Sequence, residues 1–333
     1  MDNLTHSLVG FAAAKAGLER LSPAATWACL LAANAPDVDI VTVLGGRWVY
    51  LHHHRGITHS IIGTLALAVL LPCLFYLGGL ILARLRQKPL RLSFRGLLLA
   101  SLIVSATHPL MDWTNNYGVR PLLPWSAQWY YGDLVFIVDP WLWLSVGGAT
   151  FLLTAQSKWR IAVWTVLALI LTAAILYLPQ QRPNTHYPAL SRALWITGLT
   201  GLFFAHRAGL AQRWGRSIAI SALALIVLYW GGLSILHGRA LERAQTIASH
   251  LATQNLESLR RVAAMPTLAN PLRWRCVAET NQATYLFHLS LLEENSEVIR
   301  NIVRYERPQG DAAEVLASAA QDWRAQIFLD FAR

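Results

Sequence analysis

The sequence predicts an all-α polytopic membrane helical bundle followed by a small C-terminal α+β extramembrane domain, and three observations carry that expectation. Hydrophobic residues make up 55% of the 333 residues and charged residues only 14%, well under the roughly 25% of an ordinary soluble domain. Several stretches approach or exceed the roughly 20 apolar residues that cross a hydrocarbon layer. From His237 onward the composition turns polar and charged.

The long apolar stretches are 60–83, 96–110, 140–155, 161–178, 193–205 and 217–236. Two of them are short and need tilt or help from flanking residues to span. Before them, residues 4–34 read as a hairpin that descends from Thr5, turns near Glu19, Arg20 and Pro23, and returns to Asn34 and Asp37. Its first arm lacks a basic leader and a small-residue cleavage site, so it is expected to stay in the protein. The expected division is a metal-site module over 1–140, further transmembrane helices over 141–236, and an extramembrane domain over 237–333.

The formal charge of +10 sits mostly in short loops: Arg84, Arg86, Lys88, Arg91 and Arg95, then Lys158 and Arg160, then Arg207, Arg213 and Arg216. Basic short loops mark the cytoplasmic side, so this charge encodes topology and nucleic acid is not an expected partner. Segments 37–58, 112–139 and 179–188, and everything after His237, are then expected on the side away from the cytoplasm. Tryptophans and tyrosines from Trp48 to Trp143 gather beside those segments, as interfacial anchors do; some could also line an entrance for an amphiphile. In the tail, 239–259 reads as an amphipathic helix, 274–279 and 284–289 as strands, and 312–332 as helical. Cys29, Cys73 and Cys276 are too scattered for a disulfide framework or a thiolate site.

Five fragments carry the candidate chemistry: Thr5-His6-Ser7, Pro36-Asp37-Val38-Asp39, His52-His53-His54-Arg55-Gly56, Thr58-His59-Ser60, and His108 with Asp112. All fall at the same expected end of the membrane helices. Ionisable groups near lipid are costly and pair with one another or bind ions, whereas scattered structural histidines have no reason to share a face.

His108 and Asp112 are spaced to lie on one helix face, although that pattern alone more often marks a plain surface pair. Asp37 and Asp39, in an extended segment, would place both carboxylates on one side, suited to chelating or bridging a divalent cation. Their ordinary reading is two solvated aspartates in a turn. His54 and His59 flank a tight loop in which Gly56 lets the backbone turn and Thr58 caps the next helix; His52 and His53 read as exposed interfacial residues.

Thr5-His6-Ser7-Leu8-Val9-Gly10 nearly repeats Thr58-His59-Ser60-Ile61-Ile62-Gly63, which suggests two equivalent helix entrances, each with a threonine cap. Asp2 could orient the His6 ring or simply favour the helix start. Asp139 before Pro140 is a helix cap. His186 and His237 lack ligand-like spacing, and His206, His250 and His288 read as ordinary.

Imidazoles and carboxylates without thiolate suit zinc and admit manganese or iron. The set exceeds what one tetrahedral ion uses, so one or two ions are expected, a second sharing a bridging carboxylate.

The early Thr-His-Ser, the Pro-Asp-x-Asp, the His-Arg-Gly-x-Thr-His-Ser, and the His-x-x-x-Asp followed by Tyr117-Gly118 resemble the YdjM-like family of bacterial inner-membrane proteins, described as metal-dependent hydrolases. The resemblance covers residues 2–140. A looser similarity links the histidines and aspartates to zinc-dependent phospholipase C enzymes. Together these imply a membrane-bound hydrolase in which His6, Asp37, Asp39, His54, His59, His108 and Asp112 hold the metal. A metal-activated water would cleave a phosphoester or other ester bond of a lipid or lipid-linked substrate at the outer face of the membrane. Asp39 and Arg55 are the expected catalytic residues, Arg55 binding an anionic substrate or else pairing with Asp37 or Asp39. No Gly-x-Ser-x-Gly elbow competes with this reading. Rival expectations are a cation transporter or sensor, which wants its ligands near the bilayer midplane, and a non-catalytic membrane scaffold protein with structural histidines.

Overall fold

A computed structural model describes residues 1–177, 188–294 and 302–332; most of the 179–188 connection, His186 included, lies outside the described residues. The chain is mostly helical, with one small antiparallel sheet near its C-terminal end.

Helices α1 (Asn3–Lys15) and α2 (Ala25–Ala32) form the expected hairpin and pack on each other. Their contact, extended to α5 (Phe94–Trp113), is built from small side chains, among them Ala14, Cys29, Ala32, Ala33 and Ala100. Small residues let helix backbones approach closely where lipid removes the hydrophobic drive to associate. Gly10 makes the approach closer still, because a Cβ there would stand 2.7 Å from the Ala33 Cβ and 2.8 Å from the Cys29 carbonyl oxygen.

Beyond α2 the chain does not extend: residues Ala35–Gly45 wind as a 3-10 helix, which corrects the extended segment expected around Asp37 and Asp39. Pro36 fixes its first turn, and Asp37 and Asp39 still come together in one group with His54. The short α3 (Arg47–His53) and a single 3-10 turn, Ile57–His59, lead into α4 (Ile61–Leu85). The cap of α4 is Ser60, whose hydroxyl accepts from the Gly63 amide at 3.1 Å, and not Thr58. The cap of α1 is Asp2, which accepts from the Thr5 amide at 2.9 Å and the Thr5 hydroxyl at 2.7 Å. The two near-identical hexapeptides are therefore not equivalent entrances: His6 lies inside its helix, and His59 precedes the start of its own.

Among the described residues, four helices are long and apolar enough to cross a membrane: α4, α5, α8 (Lys158–Tyr177) and α10 (Leu210–Gln254). The bent pair Ala25–Ala32 and Ala35–Gly45 makes a fifth if counted as one broken span. Two of the six expected stretches do not form such helices. Residues 140–155 are divided by a π-turn at Trp143–Gly147 into α6 (Pro140–Leu142) and α7 (Gly148–Thr154). There Leu142, Val146 and Ala149 pack inward against Leu8, Ala12 and Ile226. In α9 (Ala189–Arg207), Arg192, Thr197, Thr200 and His206 dilute the apolar run.

Helix α10 has 45 residues, about 68 Å at 1.5 Å per residue, against a hydrocarbon layer of about 30 Å. It runs unbroken through His237, and its far end carries Ala240, Ala244, Ile247 and Leu251 onto the sheet. Strands β1 (Leu259–Thr267), β2 (Asn270–Thr280), β3 (Ala283–Ser290) and β4 (Val303–Glu306) pair antiparallel in sequence order. The alternation that predicts strands at 274–279 and 284–289 is observed: Trp274, Cys276 and Ala278, with Tyr285, Phe287 and Leu289, face the helix. Segment 312–332 is two helices, α11 (Asp311–Ala319) and α12 (Trp323–Phe331).

Candidate metal centre

The last two turns of α5 present His108 and Asp112 on one face, as their spacing requires, and both are buried. The His108 Nδ1 lies 2.6 Å from the Ala33 carbonyl oxygen at the end of α2. That bond places the proton on Nδ1 and turns a bare Nε2 inward, the usual device for a ligating histidine. His59, on the turn before α4, is held in the same way. Its Nδ1 faces Asp39 Oδ2 at 3.3 Å and the Thr58 hydroxyl at 3.1 Å, which leaves Nε2 pointing inward.

The two inward nitrogens stand 3.1 Å apart. Asp112 Oδ2 lies 3.3 Å from His59 Nε2 and 3.4 Å from His108 Nε2, while Asp37 Oδ1 lies 3.3 and 3.5 Å from the same atoms. A tetrahedron of nitrogen and oxygen ligands about 2.0–2.1 Å from a zinc ion has edges of about 3.3–3.4 Å. The five edges named here run from 3.1 to 3.5 Å, so the donor set fits one divalent ion in both chemistry and size.

A second group adjoins the first. Asp37, Asp39 and His54 each offer an atom within 4.8 Å of the others, with His54 Nδ1 3.1 Å from Asp39 Oδ1. Asp37 belongs to both groups and is the most accessible of the central carboxylates. Burial works against a charge on His59, but hydrogen bonds to Asp112, Asp37 and Asp39 outweigh it and lift the imidazole pKa to about 10. Without an ion, the ring thus carries a proton where a cation would otherwise sit.

Arg55 locks this arrangement from behind. Its φ is +54°, an uncommon conformation for a residue with a side chain. The turn lets its amide donate to Asp39 Oδ2 at 2.9 Å while its guanidinium reaches Asp112 Oδ1 at 2.9 Å and Asn115 Oδ1 at 2.9 Å. The Tyr117 ring stacks on the guanidinium at 4.6 Å. Arg55 side-chain pairing therefore goes to Asp112, whereas the sequence offered Asp37 or Asp39 as its partners. Gly56 follows because a Cβ there would stand 2.6 Å from the His53 carbonyl oxygen.

Of the seven expected ligands, Asp37, His59, His108 and Asp112 form the first group, and Asp39 and His54 complete the second with Asp37. His6 stands at the edge: its Nε2 is 3.3 Å from Asp112 Oδ1, its ring stacks on His108 at 3.7 Å, and its Nδ1 is buried without a hydrogen bond among the described residues. Asp2 does not orient it; besides capping α1, Asp2 accepts from the Trp143 indole at 3.3 Å. Asp139 is the expected cap, accepting from the Trp141 amide at 2.8 Å. His52 and His53 are exposed and outside both groups.

Sequence reasoning missed several contributors. The Met1 amino group lies against Asp112 Oδ1, Asn3 donates to Asp37 Oδ2 at 2.8 Å, and Asn115 and the Ala33 carbonyl fix Arg55 and His108. None belongs to a residue type or spacing that announces such a role, though Asn115 follows Asp112 by one helical turn.

A family model described as YdjM inner membrane protein matches residues 1–183, a stretch that contains every residue of both groups. The uncharacterized protein YfhP of Bacillus subtilis (strain 168) is 32% identical over 155 residues, and the match covers 44% of this chain and 44% of that protein. The chain thus spans less than half the length of that relative. No solved structure matches it.

Proposed function

The chain belongs to the YdjM family of inner membrane proteins, and from that premise we propose that it is a multi-pass, metal-dependent hydrolase of a lipid or lipid-linked substrate. The observation that carries the reading is the four-atom set of Asp37, His59, His108 and Asp112, with near-tetrahedral edges at the ends of two membrane-length helices. In this reading the ion is zinc, with manganese or iron as substitutes. A second ion is held by Asp39 and His54, with Asp37 shared. When bound, such ions supply a water acidified to near neutrality and positive charge against the transition state of ester or phosphoester cleavage.

The chain's own residues then divide the work. Asp39 aligns His59 and His54, and Arg55 fixes Asp112, so that the ligands stand ready before substrate arrives. Asp37, at the accessible side, faces the incoming bond. Tyr117, Trp129 and Tyr131 form an aromatic rim beside Arg55, packed by Phe331 of α12, and they suit the apolar neighbour of a polar head group. By the basic loops, this mouth and the C-terminal domain of residues 237–333 face away from the cytoplasm.

A transporter would hold its ions near the middle of the spans, whereas His108 and Asp112 occupy the last two turns of α5 and His59 precedes the first turn of α4. The test is lipid profiling of a strain lacking the protein beside one carrying Asp112→Asn. Both should accumulate the same lipid species. Unaltered lipid pools in both strains would remove the lipid-hydrolase reading.

A further inference from the structure

The far end of α4, a membrane's width from the metal centre, carries a second feature with ligand-binding character. A groove of about 1040 Å³ lies between α2 and α4, at the upper end of the roughly 300–1,000 Å³ typical of small-molecule pockets. Its floor is apolar, with Leu31 from α2 and Leu74, Phe75 and Leu82 from α4. Its other end is closed by residues 86–92, which double back along the helix: the Lys88 amide donates to the Ala83 carbonyl at 2.9 Å. The return runs close to the helix at Gly79, where a Cβ would stand 2.5 Å from the Leu92 Cδ1. The return brings Arg86, Lys88 and Arg91 to the rim, and among the described residues no acidic one lines the groove.

We infer that this groove is a binding site for an anionic phospholipid, with acyl chain along Leu31, Leu74 and Phe75 and head-group phosphate among Arg86, Lys88 and Arg91. The two halves of the site select the ligand together. An apolar trough alone would take any lipid tail, and a basic loop alone would take any anion. Cations stacked at the end of an apolar trough, at the head-group level of a spanning helix, favour a molecule that has both parts, and basic residues near a membrane surface attract anionic lipid strongly. The inference rests on α4 crossing the membrane and is independent of the metal centre, whose ligands lie at the other end of that helix.

Gly78 provides a clean probe. It lines the groove, and a Cβ at that position meets nothing within 4 Å, so Gly78→Phe is the variant chosen to fill the trough. The full chain, delipidated in detergent, is titrated with dioleoyl phosphatidylglycerol, with dioleoyl phosphatidylcholine and with soluble glycerol phosphate, and binding is read by native mass spectrometry and thermal melting. Phosphatidylglycerol should bind and raise the melting temperature of the wild type. Its affinity should fall about tenfold or more when Arg86, Lys88 and Arg91 are together changed to glutamine, and also in Gly78→Phe. Both variants should keep the wild-type circular dichroism spectrum, which shows that they are folded. Equal binding of the two phospholipids, an undiminished phosphatidylglycerol affinity in both variants, or an equal response to glycerol phosphate would each overturn the site.

Discussion

His59 Nε2 and His108 Nε2 face each other at 3.1 Å, each ring held by its other nitrogen against an oxygen. Two bare imidazole nitrogens repel at that distance. The pair is satisfied either by a proton between them or by a cation that both ligate, and the choice depends on pH.

The first prediction follows from that choice. Without metal, His59 holds its proton up to a pKa of about 10, above the roughly 6.5 of the unfolded chain. The stabilisation is fully present below about pH 6.5 and lost as pH rises through about 10, so the metal-free protein should lose thermal stability over that window. Metal binding must expel the proton, so affinity should rise up to tenfold per pH unit below about 10. Calorimetry at pH 7 in buffers of different ionisation enthalpy should detect about one proton released from this ring. Metal binding with no proton release would contradict the assignment.

Arg55 neutralises a carboxylate that has left water, so its removal should cost far more than a surface pair would. In the metal-free protein, Arg55→Met should destabilise by about 2 kcal/mol, less than the roughly 3–5 kcal/mol of a buried charge left unpaired, because the Met1 amino group and the protonated His59 still face Asp112. Adding Asp112→Leu should restore most of that stability while abolishing metal binding. Thermal melts of the two variants decide it, and a near-neutral single substitution would mean that Arg55 is not the group that balances Asp112.

Gly63 tests the backbone rather than a ligand. A Cβ there would stand 1.8 Å from the Ile57 carbonyl oxygen, so Gly63→Ala must push the Ile57–His59 turn away from α4. Metal affinity should fall by an order of magnitude or more although every ligand is intact, whereas Gly78→Ala in the same helix should leave it unchanged. Competition against a chelator measures both.

The second group makes its own prediction. His54→Ala should remove about one ion per chain and leave the ion bound by Asp37, His59, His108 and Asp112 in place. Loss of all metal, or of none, would contradict two sites that share Asp37.

Much of the centre is legible in the sequence because its ligand types are costly beside lipid and recur at helix ends; His59, His108, Asp37 and Asp112 stand out on that ground, but so do His6, Asp39 and His54, which the sequence does not set apart from them. What the sequence conceals is tertiary or local in backbone. The 3-10 winding of Ala35–Gly45 is set by packing, since Val-Asp-Ile-Val-Thr-Val reads as readily as an extended run. Tyr117 reads as one interfacial anchor among many, and only the fold places it on Arg55. Helix α10 shows why hydropathy alone misjudges length: its apolar run ends near Leu236, but the good helix formers of Ala240–Gln254 carry the same helix on to the sheet.

Metal content tests the central claim most directly. Purified wild-type protein, His59→Ala and His108→Ala should be compared by elemental analysis, with circular dichroism to show that helix content is kept. The account predicts at least one zinc, manganese or iron ion per wild-type chain and its loss in both variants. Wild-type metal content in folded His59→Ala and His108→Ala would contradict it.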